Sequence, residues 1–179
     1  MKKILWILLF VALVAGFYWG LKWYRNSLPL PEGYVSMEFP LKDGRYMIVQ
    51  SGKFGNIHTS PVEKYALDIV KEPPISSLFK FRKAALADDV TYGTKIYSPC
   101  KGYVKDLRNG VDDQPIGIKD PSMGGGNYLI IGCDGFDVML AHIRKDTFLV
   151  NVEDQVSVGQ ELAQIGNSGN TDGPHLHLM

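Results

Sequence analysis

The chain contains four histidines, and each stands where it could do chemistry: His58 ten residues before Asp68, His142 at the end of an apolar run, and His175 and His177 in Pro174-His175-Leu176-His177. Neutral imidazole is the commonest protein ligand for transition metals and carries protons near neutral pH, so imidazoles converging with a carboxylate point to metal-dependent hydrolysis. Residues i and i+2 of a strand face the same way, so His175 and His177 project side by side, about 7 Å apart along the backbone. One can bind a metal while the other faces the metal's water. Asp68 sits in Tyr65-Ala66-Leu67-Asp68-Ile69-Val70, an otherwise apolar segment. A carboxylate is costly to bury there without a partner such as a metal ion.

Each feature also has a plainer explanation. H-x-H on a strand can be two surface or packed histidines, Asp68 can face solvent on an edge strand, and His58 lies in the polar loop Phe54-Gly55-Asn56-Ile57-His58. His142 shares a strand face with Val138 and Leu140, which would suit a buried, hydrogen-bonded imidazole. The chemistry rests on the combination.

The elements that must position these residues are mainly strands. Tyr46 to Val49, Tyr65 to Val70, Lys95 to Tyr97, Gly102 to Leu107, Tyr128 to Ile131 and Phe136 to Ile143 are short apolar or alternating segments separated by Gly, Pro, Asn and Asp. That spacing predicts an antiparallel all-β body. One helix is predicted from Ser76 to Asp88, behind a serine cap. Residues 109–127, with Gly124-Gly125-Gly126, read as a long surface loop; no helix and Lys-Ser/Thr follow, so it is no phosphate cradle. Gly173-Pro174 after a turn-rich segment gives the H-x-H strand a sharply placed start.

Residues 4–21 form an uncharged apolar run, just long enough to cross a hydrocarbon core of roughly 30 Å. Phe17, Tyr18, Trp19, Trp23 and Tyr24 at its outer end resemble an interfacial belt, so a transmembrane helix kept as an uncleaved membrane anchor is favoured over a cleaved signal peptide and secretion. The expected organisation is an anchor over 1–25, a proline-stiffened linker over 26–40 and one domain over 41–179. Residues 1–25 hold Lys2, Lys3, Lys22 and Arg25 and no acid, so the rest is mildly acidic. Such a balance lacks the clustered basic side chains of nucleic-acid binding. Cys100 and Cys133, 33 residues apart, could form a disulfide in an oxidising compartment or remain inert core thiols.

These segments resemble, in order, the lysostaphin-type (LytM-like) zinc metalloendopeptidases, which cut peptides of bacterial peptidoglycan. The likeness covers roughly residues 40–179. It rests on NIHTSPVEKYALDIV, SPCKGYV, GGGNYLIIGCDGFDVMLAHI and, most specifically, VSVGQELAQIGNSGNTDGPHLHL. The resemblance implies an antiparallel barrel-sandwich (duplicated hybrid motif) domain outside the cytoplasm, in the bacterial cell envelope. It also implies one Zn2+ per chain held by His58, Asp68 and His177, with His142 and His175 as catalytic residues beside the open coordination position. Three protein ligands with an open position is the pattern of catalytic rather than structural zinc. The family continues past H-x-H into a further strand, so the C-terminal strand is expected to be missing after Met179, and a ligand close to a frayed end would be weakly held.

Two other functions fit parts of the sequence. A non-catalytic member of the same fold could scaffold or activate other wall hydrolases, although such members typically lose ligands that are all present here. SPCKGYV and VSVGQELAQIG also look like the halves of a biotin- or lipoyl-carrier hammerhead. A carrier needs an exposed lysine tip between them, and no Met-Lys-Met-like tip is present.

Overall fold

The computed structural model describes residues 2–27, 33–52, 63–73 and 85–179. The chain divides into two compact units, Met1–Ser36 and Met37–Met179.

The first unit is dominated by helix α1, Lys2–Ser27. Its described side chains, among them Trp6, Phe10, Leu13, Phe17 and Trp19, are exposed. Among the described residues no helix is long and apolar enough to cross a membrane. The transmembrane span expected over residues 4–21 is corrected on that finding.

The second unit is built on antiparallel sheet, as the alternation predicts. Its strands are β1 (Tyr46–Ser51), β2 (Leu67–Lys71), β3 (Lys95–Tyr97), β4 (Gly102–Arg108), β5 (Asn127–Gly132), β6 (Asp137–Ile143), β7 (Gln155–Val156), β8 (Glu161–Gln164) and β9 (Leu176–Leu178). Seven form one sheet in the order β1-β2-β9-β6-β5-β4-β7, and β3 pairs with β8 in a second. Strands β7 and β8 lie outside the expected set because two to four residues are too few to show alternation. Of the expected helix, residues 76–84 lie outside the described residues; Leu86–Asp88 form one 3-10 turn.

One apolar cluster takes side chains from both sheets, including Ile69, Ile96, Val104, Leu129, Leu140, Leu162, Ile165 and Leu176. Burying each such side chain contributes roughly 1.5–3 kcal/mol against leaving it exposed. Cys100 and Cys133 are joined by a disulfide, with Cα atoms 6.0 Å apart. It ties the entry of β4 to the exit of β5, next to the pair Tyr103 and Gly132.

The loop after β4 lies at the surface, as expected, and is also tied down. Its backbone is bonded along its length to residues 167–172: Gln114 N–H donates to Asn167 O at 2.9 Å, Gly117 N–H to Asp172 O at 2.7 Å and Asp120 N–H to Gly169 O at 3.0 Å. In return Asn170 N–H donates to Gly124 O at 2.7 Å.

Candidate metal centre and active site

Strand β9 lies between β2 and β6, and this placement assembles the site. Its register sets His177 opposite Asp68 of β2 on one side and opposite Ala141 of β6 on the other. Alternation then sorts the side chains into two faces. Ile69, Leu140, Leu176 and Leu178 are buried in the core. Asp68, Val70, Met139, His177 and Met179 line a groove of about 650 Å³ on the opposite face, with His142, His175 and the Gly124-Gly125 wall. The expected weakness of a ligand near residue 177 is not what the structure shows. Backbone pairing holds β9 from both sides, and Met179 exchanges hydrogen bonds of 2.7 and 2.9 Å with Met139.

His142 reaches the groove by a departure from alternation. Strict alternation would place it in the core with Val138 and Leu140. The β5–β6 register slips, however: Asn127 pairs with Ile143 and Tyr128 with Ala141, which leaves His142 as the extra residue of a β-bulge. Its φ is 59°, in the left-handed region that is costly for a residue with a Cβ. The bulge is held from both directions, since His142 N–H donates to Gly125 O and His142 O accepts from Gly166 N–H, each at 2.9 Å. The ring centroid consequently stands 4.7 Å from that of His175 and 5.8 Å from that of His177.

Hydrogen bonds define what each group can offer. His142 Nδ1 lies 2.8 Å from Ser168 O. A carbonyl only accepts, so Nδ1 carries the proton and Nε2 carries the lone pair. Burial, followed by the neighbouring His175, pushes the His142 pKa down to about 3, so its imidazole is neutral at physiological pH. His175 Nδ1 lies 3.0 Å from Gly173 O and 3.2 Å from Thr171 Oγ1, which by the same reasoning leaves its Nε2 lone pair facing Asp68 Oδ1 at 3.5 Å. His177 Nδ1 is 2.8 Å from the same Asp68 oxygen. Burial favours the neutral Asp68 carboxyl, but the neighbouring imidazoles of His175 and His177, which favour the ionised form when they carry a proton towards it, outweigh burial and hold the group below the usual carboxylate range.

This donor set fits zinc. The ligand atoms of His142, His175 and His177 all lie within 4.8 Å of one another. Two neighbouring ligands on a tetrahedral zinc, each bonded at about 2.0–2.1 Å, stand roughly 3.3 Å apart. Asp68 Oδ1 stands near that spacing from His175 Nε2, at 3.5 Å, and at hydrogen-bond distance from His177 Nδ1, at 2.8 Å. The two unprotonated acceptors, His175 Nε2 and Asp68 Oδ1, also face each other, an arrangement that a cation or proton between them relieves.

Of the residues expected to do chemistry, Asp68, His142, His175 and His177 therefore come together, and His58 lies outside the described residues. Several groups at the groove were not anticipated. Gln50, opposite Asp68 in β1, has a buried Nε2 with no partner among the described residues. Glu63 lines the same groove. Ser168 and Thr171 anchor the two imidazoles, and both stand inside the recognisable GNSGNTDGPHLHL segment. Nothing in the sequence around Gln50 marks it.

Residues 85–179, more than half of the chain, match peptidase family M23. Among solved structures, the chain is similar to a zinc-containing peptidase from Vibrio cholerae, at 24% identity and TM-score 0.50, over 80% of this chain and 36% of that one. It is likewise similar to pseudoalterin, an M23 metalloprotease from the deep sea, at 16% identity and TM-score 0.50, over 82% and 70% of the two chains. A third is the catalytic domain of lysostaphin from Staphylococcus simulans, at 18% identity and TM-score 0.46, over 75% and 77%. The chain thus spans about a third of the length of the Vibrio cholerae peptidase. No match to a curated protein was found. The family match and the shared fold bear out the lysostaphin-type resemblance read from the motifs, and the chain belongs to peptidase family M23.

Proposed function

We propose that the protein is a zinc-dependent endopeptidase that hydrolyses peptide bonds in bacterial peptidoglycan. The observation that carries this reading is the meeting of Asp68, His142, His175 and His177 at one end of an open groove. In the proposal His58, Asp68 and His177 hold one zinc ion, and His142 and His175 act on the substrate. Zinc, when bound, supplies a Lewis acid that polarises the scissile carbonyl and makes water acidic enough to attack near neutral pH.

The chain's own residues do the rest. The peptide lies along the groove, where Gly124-Gly125 lets its backbone approach and Val70, Met139 and Met179 offer an apolar floor. His142 and His175 each have Nδ1–H engaged by a carbonyl, so each keeps Nε2 as the proton acceptor. One Nε2 takes the proton of the attacking water and returns it to the departing amine. Once protonated, an Nε2–H also donates to the developing oxyanion.

The domain is proposed to work outside the cytoplasm, in the cell envelope. The Cys100–Cys133 disulfide supports this, because such bonds persist in oxidising compartments. Helix α1, whose described side chains are exposed and apolar apart from Lys22, is proposed to hold the chain at a membrane.

The test is digestion of purified peptidoglycan by the full chain, with mass spectrometry of the released peptides, a chelator arm and a zinc re-addition arm. Chelator-sensitive release of peptides restored by zinc is expected. Zinc-loaded protein that binds the wall and releases nothing would overturn the catalytic reading in favour of a scaffold of the same fold.

A further inference from the structure

His175 is held by a neighbour on the side of the ring away from Asp68, Thr171. Thr171 is buried, and its hydroxyl has one proton to give. The shortest contact of Oγ1 is to Gly173 O, at 2.8 Å, against 3.3 Å to Asn167 Oδ1. The hydroxyl therefore donates to the Gly173 carbonyl. That same carbonyl oxygen lies 3.0 Å from His175 Nδ1, and Oγ1 itself lies 3.2 Å from it. Gly173 N–H donates back to Oγ1 at 3.3 Å.

The turn thus closes on itself through one side chain. Without the hydroxyl, the Gly173 carbonyl loses the bond that fixes its direction. His175 Nδ1 then keeps a carbonyl partner that is no longer fixed, while Asp68 Oδ1, 3.5 Å from Nε2, favours a proton on the other nitrogen. The tautomer matters because a neutral imidazole protonated at Nε2 would present a donor where an acceptor is needed.

We infer that Thr171 is a positioning residue that fixes His175 in the Nδ1–H tautomer, with the Nε2 lone pair directed to the groove. The role of His175 as proton acceptor rests on the function proposed above; the tautomer itself does not. Outer hydrogen-bond partners of this kind, next to metal sites, change activity or affinity by roughly 10- to 100-fold when removed.

The experiment compares wild type with Thr171→Val, which keeps the shape and removes the hydroxyl, and with Thr171→Ser, which restores it. Imidazole nitrogen shifts are read by NMR on the metal-free protein through a pH series, and the tautomer is taken from the high-pH plateau. Wild type and Thr171→Ser are expected to show His175 protonated at Nδ1, and Thr171→Val a mixture of tautomers. In the zinc-loaded proteins Thr171→Val is expected to lose at least about tenfold in kcat, with KM within about twofold and zinc content unchanged. Thr171→Ser is expected to recover most of that loss. An unchanged His175 tautomer in Thr171→Val would overturn the inference, as would a tautomer mixture in Thr171→Ser. A tautomer shift in Thr171→Val with wild-type protein inert on peptidoglycan would uphold the inference while sinking the proposed activity.

Discussion

Asp68 and His177 share a 2.8 Å contact across β2 and β9. Replacing either by Ala is expected to abolish zinc binding by the isolated protein, measured by metal analysis after dialysis. His142→Ala and His175→Ala are expected to keep zinc and lose at least about 100-fold in kcat, the usual scale of a lost acid–base group. Full hydrolytic activity in zinc-free His177→Ala protein would sink the ligand assignment. His142 carries a second cost, its left-handed backbone. His142→Gly is therefore expected to be more stable than His142→Ala by about 1 kcal/mol in urea unfolding, because only the former removes the Cβ clash. An inactive but better folded protein would show that strain is kept at this residue for its chemistry.

The elements explain which of these features the sequence reveals. Alternation in Leu67-Asp68-Ile69 and in Leu176-His177-Leu178 already separates a core face from a chemical face, and the structure follows it in β2 and β9. The orientation of His142 is not legible in the same way. Alternation in Val138 to His142 points it inward, and the bulge that turns it depends on backbone atoms of Gly125 and Gly166, both remote from β6 in local pattern. The packing of the loop after β4 is equally hidden, because its partners are main-chain groups of residues 167–172 that carry no residue-type signal. Gly126 is where the two segments come closest: its φ is 63°, and a Cβ there would collide with the Ser168 carbonyl that accepts from His142. Gly126→Ala is expected to destabilise the domain by at least about 2 kcal/mol and to impair hydrolysis beyond what the stability loss explains. Unfolding curves beside kcat would separate the two. Stability near wild type would contradict the close approach.

At the scale of the molecule, the disulfide and the metal centre stabilise different regions. The Cys100–Cys133 bridge closes 33 residues around β4 and β5, which in the chain-entropy picture contributes on the order of 3–4 kcal/mol. Reduction is expected to lower the unfolding midpoint while leaving zinc content at low temperature unchanged, since no ligand or proposed catalytic residue lies inside that loop. Thermal unfolding with and without reductant, followed by metal analysis, checks both halves of the expectation. Strand β9 has a different kind of consequence. Among the described residues, it follows β2 and β6 in the chain yet pairs with both in the sheet. Until β9 pairs, β1-β2 and β6-β5-β4-β7 share no strand, so the pairing of β9 is the step that brings Asp68 to its histidine partners. Assembly of the proposed metal centre is thereby tied to completion of the sheet: a molecule folded in all but β9 would keep both halves of the core and hold no site.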